Sequence, residues 1–169
     1  YMRQSDISTL EISKMIEEKV SKSKVLEVKP DQVTLVPDPP GALTSSFGWN
    51  CNENKNFLKE VISKFKASNI RVSIFVNPSI ETLDNLEEIK TDRVELYTYD
   101  FAHYFDDNKT KSIEPYVEVV NYLNKELPTV ELNAGHDLNL KNLEFFLKKI
   151  ANIKEVSIGH ALICDTFEF

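Results

Sequence analysis

Five short runs rich in β-branched residues recur along the chain, separated by stretches with helical periodicity, and this alternation constrains the fold more than any other feature. The runs are "VTLVP" from Val33, "RVSIFVNP" from Arg71, "RVELYTY" from Arg93, "TVELNAG" from Thr129 and "EVSIGHALI" from Glu155. Read as continuous apolar strands, they belong in a sheet buried on both faces. Between them Phe57, Leu58, Val61, Ile62 and Phe65 form one apolar helical stripe. Tyr116, Val117, Val120 and Leu123 form a second, and Leu143, Phe146, Leu147 and Ile150 a third. The pattern predicts an α/β fold with parallel strands at Val33, Val72, Val94, Val130 and Val156, joined by right-handed helical crossovers. Pro115 is expected early in its helix, where a missing N–H costs least. No linker interrupts the pattern, so residues 1–169 read as one domain.

The N-terminal stretch does not fit so simply. "YMRQ" and "STLEIS" both read as strands, yet the few residues between Arg3 and Leu10 are too few for a parallel crossover, which needs a dozen or more. A break or missing residues are therefore expected between Arg3 and Thr9. At the other end Phe169 follows the last strand with no covering helix, so the expectation is of a larger fold, incomplete at the N-terminus and the C-terminus.

Charge and cysteine usage narrow the function. A formal net charge of -7 argues against a sequence-independent nucleic-acid partner, which needs a basic surface. Cys51 and Cys164 are too few for a disulfide framework and lack metal-ligand spacing, so neither a structural metal nor an oxidising compartment is expected. No apolar run reaches membrane-span length and no signal-like segment opens the sequence. The reading is a cytoplasmic protein with neither nucleic-acid nor membrane partners.

Two of the three histidines share one setting. "VELNAGHDLNL" places Gly135 and His136 where an apolar run ends, and "VSIGHALI" does the same with Gly159 and His160. A titratable ring at a strand's C-terminal end suits proton transfer better than packing. Glu95 and Glu131 allow two readings, functional groups or polar strand termini. His103, beside Tyr104 and Phe105 in a predicted loop, is expected at the surface, and Trp49 reads as a loop anchor.

The segments "KPDQVTLVP", the "LT" of "GALTSSFGWN", "VSIFVNPS", "VELYT", "LNAGH" and "VSIGHALI" resemble, in order and nearly in spacing, those of the pyridoxine 5'-phosphate synthase family. The resemblance covers most of the chain from Leu10 to Ile163. It implies a (β/α)8 TIM barrel, a fold of roughly 250 residues, of which the first strand and part of the next helix have no counterpart here. It also implies condensation of 1-deoxy-D-xylulose 5-phosphate with 3-amino-2-oxopropyl phosphate, without metal or organic cofactor, in a homo-oligomer. Residue by residue, His136 resembles the family's proton donor and Glu11 its proton acceptor. Glu95 resembles the carboxylate that stabilises cationic intermediates. Arg3, Thr44, Gly159 and His160 resemble the groups that bind the phosphorylated substrates.

The chain departs from the family pattern at Tyr1, Phe47, Asp137 and Asp165, replacing a histidine, a glycine of the phosphate lid, the glycine after the proton donor and an arginine. The carboxylate of Asp137 is expected to repel a phosphate held nearby. These departures favour an alternative, a phosphate-binding relative without turnover. A further alternative is another sugar-phosphate barrel enzyme. If that enzyme formed its own Schiff base it would carry a strand-end lysine, and the apolar strands show none.

Overall fold

The computed structural model describes residues 24–38 and 44–167. Arg3, Glu11, Tyr1 and the expected break before Thr9 lie outside the described residues. In chain order the elements are α1 (Lys24–Val28), β1 (Gln32–Leu35), α2 (Lys55–Ala67), β2 (Arg71–Val76), a 3-10 turn (Ile80–Leu83), α3 (Leu86–Ile89) and β3 (Arg93–Tyr97). They continue with α4 (Tyr99–His103), α5 (Lys109–Glu126), β4 (Glu131–Gly135), α6 (Leu143–Lys149), β5 (Ile153–Ser157) and α7 (His160–Phe167).

The five strands form one sheet in sequential order, every neighbouring pair parallel. Four of the five anchor valines fall inside strands; Val130 immediately precedes β4. The sheet is strongly curled. Neighbouring strands lie about 4.8 Å apart, so β1 and β5 in a flat sheet would be separated by roughly 19 Å. Yet Gln32 Nε2 of β1 donates to Glu155 Oε2 of β5 at 3.0 Å, which two side chains achieve only if the sheet bends around their shared face.

That inner face corrects the reading of the strands as continuously apolar. Val72, Ile74, Val76, Val94, Leu96, Leu132 and Ala134 are buried toward the helices, where they meet Leu58, Ile62, Phe65, Tyr116, Val120, Leu123 and Phe146. The alternate residues point the other way and include Arg71, Ser73, Arg93, Glu95, Glu131, Asn133 and Glu155. The strands of the middle of the sheet are buried on both faces, but only the outer one is wholly hydrocarbon; the inner one is mainly polar, with the rings of Phe75 and Tyr97 toward its C-terminal end. Period-two alternation fixes this, because successive side chains on a strand face opposite sides.

Helix α5 also departs from expectation. Its N-cap is Asn108, whose side chain accepts from the Lys111 N–H at 3.0 Å, which makes Pro115 an interior residue of the helix. The first turn, "KTKS", carries no apolar residue before Ile113, so hydrophobic periodicity alone starts the helix too late. In α6, Leu147 is exposed although it completes the apolar stripe in sequence.

Candidate active site at the C-terminal end of the strands

Strand β4 delivers the central residues. Its last residue, Gly135, packs against β3 so closely that a Cβ there would lie 2.3 Å from Glu95 Oε1 and 3.0 Å from Ser157 Cβ. Glycine is required at this point for space. The left-handed backbone comes one residue later, with φ 89° at His136 and 56° at Asp137. Such values are rare outside glycine, although aspartate tolerates them better than most residues. The turn is held from outside. The buried Thr98 hydroxyl donates to the Gly135 carbonyl at 2.8 Å and to that of His136, and Asn142 Nδ2 donates to the Asp137 carbonyl at 3.2 Å.

The His136 ring is thereby fixed at both nitrogens. Nε2 lies 2.9 Å from Thr44 Oγ1, and Nδ1 lies 2.9 Å from Asp137 Oδ2. Tyr97 packs edge-on against the ring at a centroid distance of 4.9 Å. Burial, with the charges of Asp137 and Asp100 adding to it, pushes the Tyr97 phenol above its ordinary value. It therefore stays a neutral wall, not a base.

Glu95 projects from β3 into the curl of the sheet, 7% exposed. Its Oε2 accepts from Thr34 Oγ1 of β1 at 3.1 Å, and no cation pairs with it among the described residues. Its negative charge is thus free to face a cationic species in the cavity. Thr44 reaches the ring from a loop whose position is fixed at Gly48 and Trp49. A Cβ on Gly48 would lie 2.4 Å from the Val76 and Asn77 backbone, and Trp49 Nε1 donates to the Leu35 carbonyl at 3.0 Å. Trp49 is the loop anchor that its sequence position implied.

Thr44, Glu95, His136, Gly159 and His160 all line one cavity of about 920 Å³ at the C-terminal ends of the strands. This is the face on which parallel α/β proteins place their chemistry. Gly159 immediately precedes α7, whose first backbone N–H groups and positive dipole end are suited to an anion. Of the seven sites read from sequence, five meet in this cavity; Arg3 and Glu11 are the two outside the described residues.

Two residues of the site, Thr34 and Thr98, escape the sequence reading, and two others, Asp137 and His103, take a part there beyond the one read from sequence. Thr34 positions Glu95, Thr98 clamps the β4 turn, Asp137 bonds His136, and His103 is at the cavity rim, stacked on Tyr99 with ring centroids 5.5 Å apart. The expectation for His103 as a surface residue holds for its exposure, but it ends helix α4 instead of standing in a loop, and it also lines the site. Thr34 and Thr98 had a signal, since both stand in the motifs "VTLVP" and "VELYT", where attention falls on the apolar and charged members.

Comparison with known proteins agrees with this geometry. The profile of the family described as "Pyridoxal phosphate biosynthesis protein PdxJ" matches residues 3–169. A pyridoxine 5'-phosphate synthase of Flavobacterium johnsoniae is 52% identical over 141 residues, 83% of this chain and 59% of the relative. That of Parabacteroides distasonis is 50% identical over 83% of this chain and 58% of its own length. That of Cytophaga hutchinsonii is 47% identical over 145 residues, 86% and 60% respectively. The chain thus spans about three-fifths of the length of these relatives. With the family profile running through nearly the whole sequence and its motif residues gathered in one cavity, the chain belongs to the PdxJ family.

Proposed function

We propose that the whole protein is a pyridoxine 5'-phosphate synthase built on a (β/α)8 barrel. It condenses 1-deoxy-D-xylulose 5-phosphate with 3-amino-2-oxopropyl phosphate to pyridoxine 5'-phosphate, phosphate and water. The observation that carries this reading is the convergence of Glu95, His136, Thr44, Gly159 and His160 on one cavity at the strands' C-terminal ends. Support for the barrel comes from side-chain layering. Gln32 of β1, Arg93 of β3 and Glu155 of β5 bond to one another, and layers contributed by alternate strands are the way such barrels fill their interior.

The chemistry needs a Schiff base between the two substrates, proton removal at carbon, loss of phosphate and water, and ring closure. An iminium intermediate is cationic, and the unpaired Glu95 carboxylate faces the space where it forms. His136 Nε2, directed at Thr44 and the cavity, gives a proton to the departing oxygen. Glu11 takes protons from carbon. Thr44, Gly159 and His160, with Arg3, hold the phosphorylated substrates, the backbone N–H groups at the start of α7 supplying local positive potential in an acidic protein. The enzyme we propose is cytoplasmic and homo-oligomeric; no helix among the described residues is long and apolar enough to cross a membrane.

Incubating the full-length protein with both phosphorylated substrates tests the reading, with pyridoxine 5'-phosphate as the expected product. A well-folded protein that binds both substrates and makes none would favour the alternative, a phosphate-binding relative without turnover. Asp137 at the cavity wall is the structural feature that favours that alternative.

A further inference from the structure

We propose that Asp137 is a positioning residue for His136, setting which ring nitrogen carries the proton and aiming Nε2 into the cavity. The inference rests on the reading of His136 as the proton donor only for its consequence in catalysis; the proton placement itself is independent of turnover.

The backbone supplies the first argument. Both His136 and Asp137 adopt positive φ, 89° and 56°, where glycine would be free of strain. A glycine at 137 would ease the turn, and the chain instead carries a side chain there. Nothing in the turn's own hydrogen bonds needs that side chain. The carbonyls of Gly135, His136 and Asp137 are held by Thr98 and Asn142, and Asn142 is itself buried and bonded through Oδ1 to the Asn139 N–H at 2.9 Å. The feature that requires Asp137 is the contact of its Oδ2 with His136 Nδ1 at 2.9 Å.

Hydrogen-bond chemistry supplies the second. An ionised carboxylate only accepts, so Nδ1 carries the hydrogen. In the neutral ring Nε2 then bears the lone pair and accepts from the Thr44 hydroxyl 2.9 Å away. In the protonated ring Nε2–H donates, and Thr44 or a substrate oxygen accepts. Thr44 serves either state because a hydroxyl both donates and accepts. Asp137 therefore decides the tautomer, while Thr44 follows it. A carboxylate holding one imidazole nitrogen so that the other does the chemistry is a general device in proton transfer.

The tautomer can be read directly by long-range proton–nitrogen NMR on the chain with 15N-labelled histidine, at a pH above the ordinary histidine range of about 6.5. His136 is assigned by its disappearance in His136→Asn. The expected wild-type signal is protonated Nδ1 with bare Nε2, the reverse of the form free histidine prefers. Asp137→Gly should shift the population toward Nε2–H while the melting temperature stays level or rises, since the strain is relieved. Asp137→Asn, whose carbonyl still accepts, should keep the wild-type tautomer, and so should Thr44→Val. A wild-type Nε2–H tautomer, or one unchanged in Asp137→Gly, would overturn the proposal without recourse to activity. In the active full-length enzyme Asp137→Gly should lower kcat by about tenfold or more, with less effect on KM. A shifted tautomer with undiminished kcat would uphold the positioning role and remove His136 as the proton donor.

Discussion

At the level of single residues, the site turns on how closely two side chains approach β4. His136 can transfer a proton only if its ring stays at the mouth, so His136→Asn, which keeps size and hydrogen bonding, should lower kcat by roughly 10²–10⁴-fold. Substrate binding should largely survive. A loss below about tenfold in the chemical step of active full-length enzyme would rule out His136 as the general acid. The two glycines that precede histidines should behave oppositely. Gly135→Ala drives a methyl into Glu95, where the gap is 2.3 Å, so the carboxylate must move. Overpacking of this kind costs about 1–3 kcal/mol, and turnover should fall with it. Gly159→Ala meets nothing within 4 Å and should leave stability unchanged or raise it by roughly 0.4–1 kcal/mol through the unfolded state. Urea unfolding of both variants, with steady-state rates, checks the contrast. The glycine-histidine pairs were legible in the sequence as a repeated pattern. Their difference was not, because the space at Gly135 is set by Glu95, which sequence places forty residues away and the β3–β4 pairing brings onto the neighbouring strand, two positions before Tyr97, the register partner of Gly135.

Among the elements, strands were easier to read than helix starts. A run such as "RVSIFV" has the β-branched content of a buried strand whichever way its residues face, so its existence follows without knowing its two sides. The inner polar face stayed hidden because Arg71, Arg93 and Glu131 each open a strand and Glu155 opens the apolar run within β5, where a charged residue also reads as a polar terminus. Helix α5 was misplaced at its beginning for a related reason: its first turn is entirely polar and is specified by the Asn108 cap, not by burial. Removing that cap should therefore be felt. Asn108→Ala should destabilise the protein by about 1 kcal/mol, seen as a lower urea midpoint with an unchanged slope, while Asn108→Asp should cost much less because aspartate caps equally well. An Asn108→Ala variant as stable as the wild type would mean that packing of Tyr116, Val120 and Leu123 alone fixes the helix.

Across the whole molecule, the curled sheet carries its chemistry at one end and an ionic floor at the other. Arg93, 7% exposed at its side chain, donates from Nε to Glu131 at 2.7 Å and pairs through Nη1 with Glu155; Arg71 lies 3.5 Å from Glu155 as well. Burial acts against the Arg93 charge, and the bonds and charges of Glu155 and Glu131 more than offset it, so its pKa is raised. The hydrogen bond from Arg93, opposed by some burial and supported by Gln32 and the Arg71 charge, holds the Glu155 carboxyl below its ordinary value. A carboxyl whose folded pKa is depressed stabilises the fold fully above its unfolded value of about 4.3, and that contribution is lost as pH falls through the folded value. Glu155→Gln should therefore be less stable than wild type by a constant margin from neutral pH down to about 5, with the margin closing below about 4.3. Arg93→Met removes the common partner of both glutamates. Its cost should be on the order of 2 kcal/mol, below that of breaking a fully buried pair, since Glu131 and Glu155 are 42% and 44% exposed and can be hydrated. Urea midpoints of the three proteins between pH 3 and 7 decide the matter. A Glu155→Gln margin that did not change with pH would mean that the floor is held by shape and hydrogen bonding, with the Glu155 charge contributing nothing to the curl of the sheet.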